Sequence, residues 1–600
     1  MAIVLAKFVH RAIWSAEEFV SFKQRVPVIN EWMNECLAEH PSCLLSKTDF
    51  LPTRLLDVGE GLGSKLRLVE SVDIPKIPGN YPEFMALSHC WGKSRPFLVL
   101  SSSSIKILSD GVELDQLPRT FKDAARIVQM LGRRYLWIDS LFIKQDSSVD
   151  WQKEAAQMDS IYRNAHLTLA AASSTDGNGG CYIDDNLATM ILKFPIRQPD
   201  GTMGECKLRT NDRPEIFTSS PLHRRGWVLQ ESILSRRIVS FTEDQMVWQC
   251  RTKHYTEDAM PAPRRHRWEY PDNYTNNLVS DRDRRDMWWS WVENYTKRIL
   301  SNPNDKLPAF AGITKFFAQE TGYTPFAGLW KEHLLSDLLW WVAEPEDNLP
   351  AANTPWGTPS WSWSAVLDRF IRRPQSMIYL DEHFSIEGSK YGTSEVPPKI
   401  ARLVSQELIW TAEPLTSTIL RARITLRGPL RDLKNHLHLS PPAGWGAFKF
   451  VSSASKVCGV KHHFKQDGLS HIGSDWQSLD TVKEMDHAQA CTLTDQQGHS
   501  QVRLDRKLDP KTPIYGLYMK IDSGKYVQEK ILIITPVANT RNEYRRIGVA
   551  DHEHEITRFF DGDNDELYKA LQTKDAKVNL LAHSAMPCSD GAEERVIELV

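Results

Sequence analysis

Trp137-Ile138-Asp139-Ser140, then Gln145-Asp146, then Asp150-Trp151-Gln152-Lys153-Glu154, and finally His166-Leu167-Thr168-Leu169-Ala170-Ala171-Ala172 lie in one run of 36 residues, 137–172. The run reads as strand, helix, strand. Its first strand begins at Tyr135, a helix is expected over 150–164, and the alanine-rich segment is the second strand. At about 100° per residue, Trp151, Ala155, Met158 and Tyr162 share one apolar stripe of that helix, and Glu154 falls on its edge between Met158 and Ile161. A carboxylate half-sunk in such a face needs a solvating cleft, a partner or a proton. Each of these conditions is common at functional sites.

Working outward, Met85-Ala86-Leu87-Ser88-His89-Cys90 reads as a short buried strand ending at Trp91-Gly92. Pro118 then opens a helix on which Phe121, Ala124, Ala125, Val128 and Leu131 keep the 3.6 period, and Gly132 closes it. The order β-α-β-α-β predicts a mainly parallel sheet with right-handed crossovers and a ligand site beyond the carboxyl ends of its strands. Ser88, His89, Cys90 and Trp91 stand at one such end and Asp139 and Ser140 at the next. Glu154 begins the helix that follows, so all of them border one expected cleft.

Each of these residues also has a plainer use. Trp91 can stack on an adenine or nicotinamide ring or plug the core beside Gly92. Asp139 can meet substrate hydroxyls or cap the loop backbone, and Asp146 fits the capping use. Neighbouring strand residues face opposite ways, so His89 is badly placed to activate Cys90 as a nucleophile. Glu154 can satisfy a helix N-terminus or pair with an arginine.

Six hundred residues exceed one ordinary core, and 41% apolar with 25% charged residues is a globular composition. A net charge of −3 supplies no field for nucleic acid or an anionic membrane. The basic clusters 264–267 and 282–285 read as solvated faces. No apolar run reaches membrane-spanning length, the N-terminal apolar run is too short for a secretory signal, and nine scattered cysteines fit a reducing compartment. The expectation is a cytoplasmic protein without a membrane span.

Four segments are expected. Residues 1–80 form a helix and a hairpin built around Gly59-Glu60-Gly61-Leu62-Gly63-Ser64, which lacks the spacing of a phosphate loop. An α/β domain spans 81–250, a helical tryptophan-rich segment 251–370, and a β-rich region 371–600 with a loosely ordered insertion at about 440–510. Pro359-Ser360-Trp361-Ser362-Trp363-Ser364 alternates with period two, predicting a strand with both indoles on one face. Cys36, His40 and Cys43 form a C-x3-H-x2-C cluster with no fourth ligand in view, and a buried, metal-free role is expected for them.

Three blocks resemble the fungal heterokaryon-incompatibility (HET) domain family. They are Tyr81 with Ala86-Leu87-Ser88-His89-Cys90-Trp91-Gly92; Leu117-Pro118-Arg119-Thr120 through Trp137-Ile138-Asp139-Ser140-Leu141 to Ile161-Tyr162-Arg163-Asn164-Ala165; and Arg225-Gly226-Trp227 with Gln230-Glu231 and Trp248-Gln249-Cys250. Asp305 to Ala309, Gly328 to Trp330, Pro359 to Trp363 and Tyr544 to Gly548 are similar to the region that follows this domain in filamentous fungi. Phe142 departs from the pattern, standing where a cysteine is usual. The resemblance implies self/non-self recognition that triggers regulated cell death, an innate-immunity-like role.

HET domains are likened to Toll/interleukin-1-receptor (TIR) domains, which share a flavodoxin-like fold and in several cases cleave NAD with one glutamate on the helix after the second strand. Glu154, following Trp151, is similar in element and setting. The likeness implies Glu154 as catalytic residue, Ser88, Trp91, Asp139 and Ser140 as substrate-binding residues, NAD as substrate with no cofactor, and an unknown protein partner or a homo-oligomer. The alternative is a non-enzymatic signalling module that uses the same domain for docking.

Overall fold

Four short apolar runs of this chain lie side by side in one direction. Numbered along the chain, the strands of their sheet are β1 (Arg54–Asp57), β2 (Lys65–Glu70), β3 (Phe84–Ser88), β4 (Val112–Glu113), β5 (Tyr135–Ile138), β6 (Thr168–Ala170), β9 (Arg237–Phe241), β10 (Met246–Cys250) and β11 (His254–Thr256); a separate hairpin supplies β7 (Ile191–Arg197) and β8 (Met203–Arg209). The computed structural model describes residues 22–44, 49–75, 82–92, 98–181, 191–197, 201–209, 220–243, 245–256, 280–343, 357–366, 370–373, 401–433, 437–440, 447–450, 491–495, 498–504, 512–523, 526–555 and 593–600. They fall into two compact units, Met1–Gly322 and Tyr323–Val600.

In the first unit β3 pairs in parallel with β5 on one side (Ala86 opposite Trp137) and with β6 on the other (Leu87 opposite Leu169), and β6 pairs in parallel with β9. Every residue of β3, β6 and β9 is buried, as befits parallel strands covered on both faces. Taken in chain order, the four parallel strands sit in the spatial order second, first, third, fourth.

The sheet as a whole is mixed, not mainly parallel, because antiparallel strands flank this core on both sides. β1 runs antiparallel to β5 and to β2, β2 to β4, β9 to β10 and β10 to β11. Three of these pairs, β1 with β2, β9 with β10 and β10 with β11, are joined by short connections, which only antiparallel neighbours can use. Thr242 N donates to Gln245 O at 3.1 Å and closes the turn between β9 and β10. The expected glycine hairpin joins β1 and β2, with Gly59 at φ +78° and Gly61 at φ +79°. The expected N-terminal extension thus adds strands to the same sheet.

The helices are α1 (Phe22–Glu39), α2 (Arg119–Met130), α3 (Ser148–Ala155), α4 (Met158–Asn164), α5 (Gly226–Leu234), α6 (Asp281–Thr296) and α7 (Pro308–Thr321). Where one helix is expected over 150–164, the chain breaks at Ala156-Gln157. Gln157 N turns tightly back to Glu154 O at 3.0 Å, and Lys315 Nζ on α7 takes the freed Ala156 carbonyl at 3.2 Å. The tryptophan-rich helix α6 and the phenylalanine-rich α7 belong to this unit. Trp288 meets Phe310 and Phe317, both at 5.2 Å between centroids.

In the second unit Ile419–Asp432, Tyr515–Ser523, Tyr526–Pro536, Glu543–Glu555 and Glu593–Leu599 pair in turn and close on themselves, the last running parallel to Glu543–Glu555 and antiparallel to Ile419–Asp432. Leu426, Leu517, Ile531, Ile533, Ile547 and Leu599 are fully enclosed. The period-two reading of 359–364 fails. Ser362 caps a short 3-10 turn, Trp363–Ala365, and both indoles are buried by donating to neighbours or stacking: Trp363 Nε1 to Gly328 O at 2.7 Å, Trp361 on Phe326 at 5.2 Å. Of the insertion expected at 440–510, only Ser440, 447–450, 491–495 and 498–504 are described, all as strands; the rest lies outside the described residues.

Trp137 is fully buried in β5 and meets Tyr162 edge-on at 5.7 Å. Trp137→Ala is expected to destabilise the sheet by about 3–5 kcal/mol, read as faster amide exchange throughout β3 and β5. Unchanged protection there would contradict this packing.

Candidate functional site

Parallel strands that are buried on both faces release their first polar side chains at their carboxyl ends. β3 ends in Ser88, and His89, Cys90 and Trp91 follow; β5 ends at Ile138, and Asp139 and Ser140 follow. Because β3 has parallel neighbours reached by crossovers in opposite directions, its end is the switch point where such sheets leave a crevice. The structure brings Ser88, Trp91, Asp139 and Ser140 to this end of the sheet, as expected.

Asp139 and Trp91 are half-buried, whereas Ser88 and Ser140 are sealed. Trp91 Nε1 donates to Asp139 Oδ2 at 2.8 Å, and the Ser140 amide donates to Asp139 Oδ1 at 2.7 Å, so the carboxylate is held in one orientation. Trp91 is held too. Gly92 follows it at φ +84°, and a Cβ there would stand 2.5 Å from Asp176 Cβ, so only glycine lets the backbone turn this close to the 174–181 loop. The Ser140 hydroxyl is buried without a partner, and its carbonyl accepts Leu100 N at 2.9 Å; it serves the loop.

Two groups that the sequence did not single out as ligands to substrate complete the cluster. α5 begins after Arg225 and carries Glu231, and Arg225 Nη1 donates to the carbonyl of His89. Burial pushes the Glu231 carboxyl up to about 7; Arg225 and the neighbouring Ser88 and Tyr162 hydroxyls oppose this and Asp139 adds to it. Glu231 Oε2 and Ser88 Oγ nonetheless lack a hydrogen-bond partner among the described residues.

His89 is enclosed beside them. Burial lowers it to about 4, with Asp139 opposing and Arg225 assisting, so the ring is neutral at pH 7. Its Nδ1 lies 3.6 Å from Asp139 Oδ1, too far for a hydrogen bond. Burial also raises the Cys90 thiol to about 11, which keeps it from acting as a thiolate. The arrangement offers one carboxylate that is 15% exposed, an indole face, an arginine and a buried acid that titrates near neutrality. Such a set suits a small polar ligand bearing hydroxyls and an aromatic ring.

Glu154 is not at a rim open to a small molecule, contrary to expectation. Its side chain is fully buried, neither oxygen meets a donor in good hydrogen-bond geometry among the described residues, and Arg54 Nη2 of β1 lies 3.6 Å from Oε1. Burial raises its carboxyl, with Thr53 and Arg54 opposing. The physical reason is β1. That strand adds itself beside β5 and brings Arg54 to α3, where Arg54 also grips Asp150, whose Oδ2 accepts the Lys144 amide at 2.8 Å. Asp146 accepts the Ser102 amide at 2.8 Å, a loop cap.

The third sequence block also braces the helices. Trp227 Nε1 donates to Asp305 Oδ2 at 3.0 Å, and Gln230 Oε1 accepts the Gly312 amide at 2.7 Å, fastening α7 to α5. The signal for Glu231 was its place in that block; nothing local to it told that α5 points its acid at the end of β3.

Glu231 binds its proton more tightly folded, near 7, than unfolded, where the ordinary value is 4.5. The folded chain holds the extra proton between those values, so its contribution is complete below about 4.5 and is lost as pH rises through 7. Glu231→Gln is therefore expected to gain stability relative to the parent between pH 5 and pH 8, by on the order of a few kcal/mol, in urea titrations at each pH. A difference between the two that stays constant with pH would refute the assignment.

Residues 84–231, from the first residue of β3 to Glu231 itself, match the family model described as Heterokaryon incompatibility protein (HET). Comparison with the curated proteins and with the solved structures finds no match. All the residues of the crevice lie within the matched span, and the chain is accordingly a protein that carries a heterokaryon incompatibility (HET) domain.

Proposed function

We propose that this protein acts in heterokaryon incompatibility, recognising non-self after unlike fungal cells fuse and triggering regulated cell death, and that its HET domain does so by cleaving NAD at the crevice bounded by Trp91, Asp139 and Arg225. The observation that supports this reading is the convergence of Ser88 to Trp91, Asp139 with Ser140, and Arg225 with Glu231, one stretch from each of the three sequence blocks, on one polar cluster at the switch point of the parallel core. The strand order second, first, third, fourth is the opening of the flavodoxin-like order 2-1-3-4-5 and agrees with a TIR-like reading.

In the proposed reaction the bond between ribose C1′ and nicotinamide breaks, nicotinamide leaves with the bonding pair as a neutral ring, and water adds at C1′. The products are nicotinamide, ADP-ribose and one proton. Asp139, fixed by Trp91 and the Ser140 amide, faces the oxocarbenium-like ribose and receives the proton of the attacking water. The Trp91 indole stacks on the nicotinamide or adenine ring. Arg225 and Glu231 set the charge behind them. Glu154 serves in this reading as an ionic joint to Arg54, not as the reacting acid.

A docking module without chemistry is the second reading, and the depth at which Ser88, His89 and Glu231 are buried favours it. The full chain, assayed for NAD by mass spectrometry and for assembly by light scattering, separates the two. Asp139→Asn is expected to lower NAD cleavage on the order of 100-fold or more, while Glu154→Gln keeps turnover and loses stability. Loss in Glu154→Gln alone would return the catalytic role to Glu154. Intact NAD with undiminished cell killing in the parent and both variants would leave the docking module.

A further inference from the structure

Far from the crevice, at the antiparallel edge of the sheet, three sulfurs and an imidazole meet without a disulfide. Cys36, His40, Cys43 and Cys250 are all buried, and one ligand atom from each lies within 4.8 Å of the others. We propose that these four side chains bind one structural zinc ion as a Cys3His site.

The local fold explains the convergence. Cys36 sits in the last turn of α1, His40 just past the helix end, and Cys43 closes the 3-10 turn Pro41–Cys43. His40 N returns to Cys36 O at 3.2 Å and Cys43 N to His40 O at 2.9 Å, so the chain keeps coiling and the i, i+4, i+7 positions share a face. The ligand missing from the sequence pattern is the last residue of β10, more than two hundred positions away. Cys250 Sγ stands 3.4 Å from His40 Nδ1. Zn–S and Zn–N bonds in a tetrahedron place neighbouring ligand atoms about 3.4–3.8 Å apart, so the observed cluster needs little adjustment to close on an ion.

The surroundings favour thiolates. The Lys253 amide donates to Cys250 Sγ at 3.3 Å within the turn that joins β10 to β11, and Arg237 Nε donates to Cys36 Sγ at 3.2 Å. Arg237 is fully buried, and its other donors reach carbonyls, Cys43 O at 2.6 Å and His166 O at 3.2 Å. A buried guanidinium calls for a counter-charge. Zinc with three thiolates and a neutral imidazole carries one net negative charge, which supplies it. The other His40 nitrogen, Nε2, is buried with no partner among the described residues.

Three thiolates and one imidazole in tetrahedral array select zinc over calcium or magnesium, which take oxygen ligands. Four protein ligands leave no open position, so the ion is structural. It fastens α1 to the β10–β11 hairpin, where Trp32 already packs on Trp248 at 6.2 Å and Lys253 pairs with Glu35 at 3.0 Å. Three ligands precede the HET-matched span and one follows it, so the ion would tie together the two segments that flank the domain.

The full chain, purified under reducing conditions without chelator, is expected to carry one zinc per chain by plasma mass spectrometry. Replacement by cobalt is expected to give the visible bands of a tetrahedral site together with intense thiolate-to-cobalt charge transfer. Cys250→Ser should bring the zinc content to zero, and Cys181→Ser, a buried cysteine outside the cluster, should leave it at one. A parent chain that is metal-free as purified and shows no charge-transfer bands with cobalt would overturn the proposal, as would a disulfide among Cys36, Cys43 and Cys250, or full zinc in Cys250→Ser. Should Cys250→Ser fail to fold, the parent's zinc content and cobalt spectrum decide alone.

Discussion

The guanidinium of Arg225 donates to the carbonyl of His89 across 136 residues of sequence, and the charge balance of the crevice depends on it. The carbonyl just past β3 has no strand partner left and needs a donor. Arg225 supplies one, and in doing so places a fixed positive charge among Asp139, Glu231 and the His89 ring. Burial keeps the imidazole neutral, with that charge assisting, and the same charge restrains the rise of Glu231. Without it, two acids would share a poorly hydrated space with no cation, a costly arrangement. The same residue precedes α5, so the contact also sets where that helix starts on the sheet.

Glu154 and Glu231 are both raised by burial, and their settings differ. Glu154 lies on α3 facing Arg54 and Asp150, a group of side chains drawn from β1 and α3. Glu231 lies at the end of β3 and β5, next to the half-buried Asp139 and Trp91. Removing the charge of Glu154 affects how β1 attaches to the sheet. Removing that of Glu231 changes the field at the place where strand ends and loops leave room for a ligand. Burial alone does not separate an acid that joins two elements from one that stands at the strand ends; the neighbours do.

What the sequence made legible follows from periodicity and punctuation. The strands at 84–88, 135–138 and 168–170 and the helix at 119–130 were visible because apolar period and Pro118, Gly132 and Gly92 agree. The crevice residues Ser88, Trp91, Asp139 and Ser140 followed from strand ends alone. The antiparallel flanks did not, since pairing partners of β1 and β10 are settled by turns and by contacts far along the chain. Glu154 was misplaced for the same reason. A helical wheel shows one helix, and the cover came from a strand nearly a hundred residues earlier. Likewise the alternation at 359–364 suited a strand, but Ser362 closes its own turn, the Trp363 indole donates to a carbonyl and the Trp361 ring stacks on Phe326. Nothing in the spacing links Cys250 to Cys36, His40 and Cys43, because ligand geometry across a sheet edge leaves no periodic trace.

The HET-matched span is therefore not a self-sufficient sheet. It includes β3, β5 and β6, yet β9, the parallel neighbour of β6, and β1, the antiparallel neighbour of β5, both lie outside it. Cutting the chain at 84 and 231 would leave two hydrogen-bonding edges open in the middle of the sheet. It would also take Arg54 from Glu154 and Asp150, leaving buried carboxylates unpaired, and strip α7 from the Trp227 and Gln230 contacts that hold α5 in place. Since α5 carries Glu231 and begins at Arg225, the crevice itself depends on those flanks. The span that matches the family works here as the centre of a larger unit reaching from α1 to α7, and residues outside that span hold its crevice in shape.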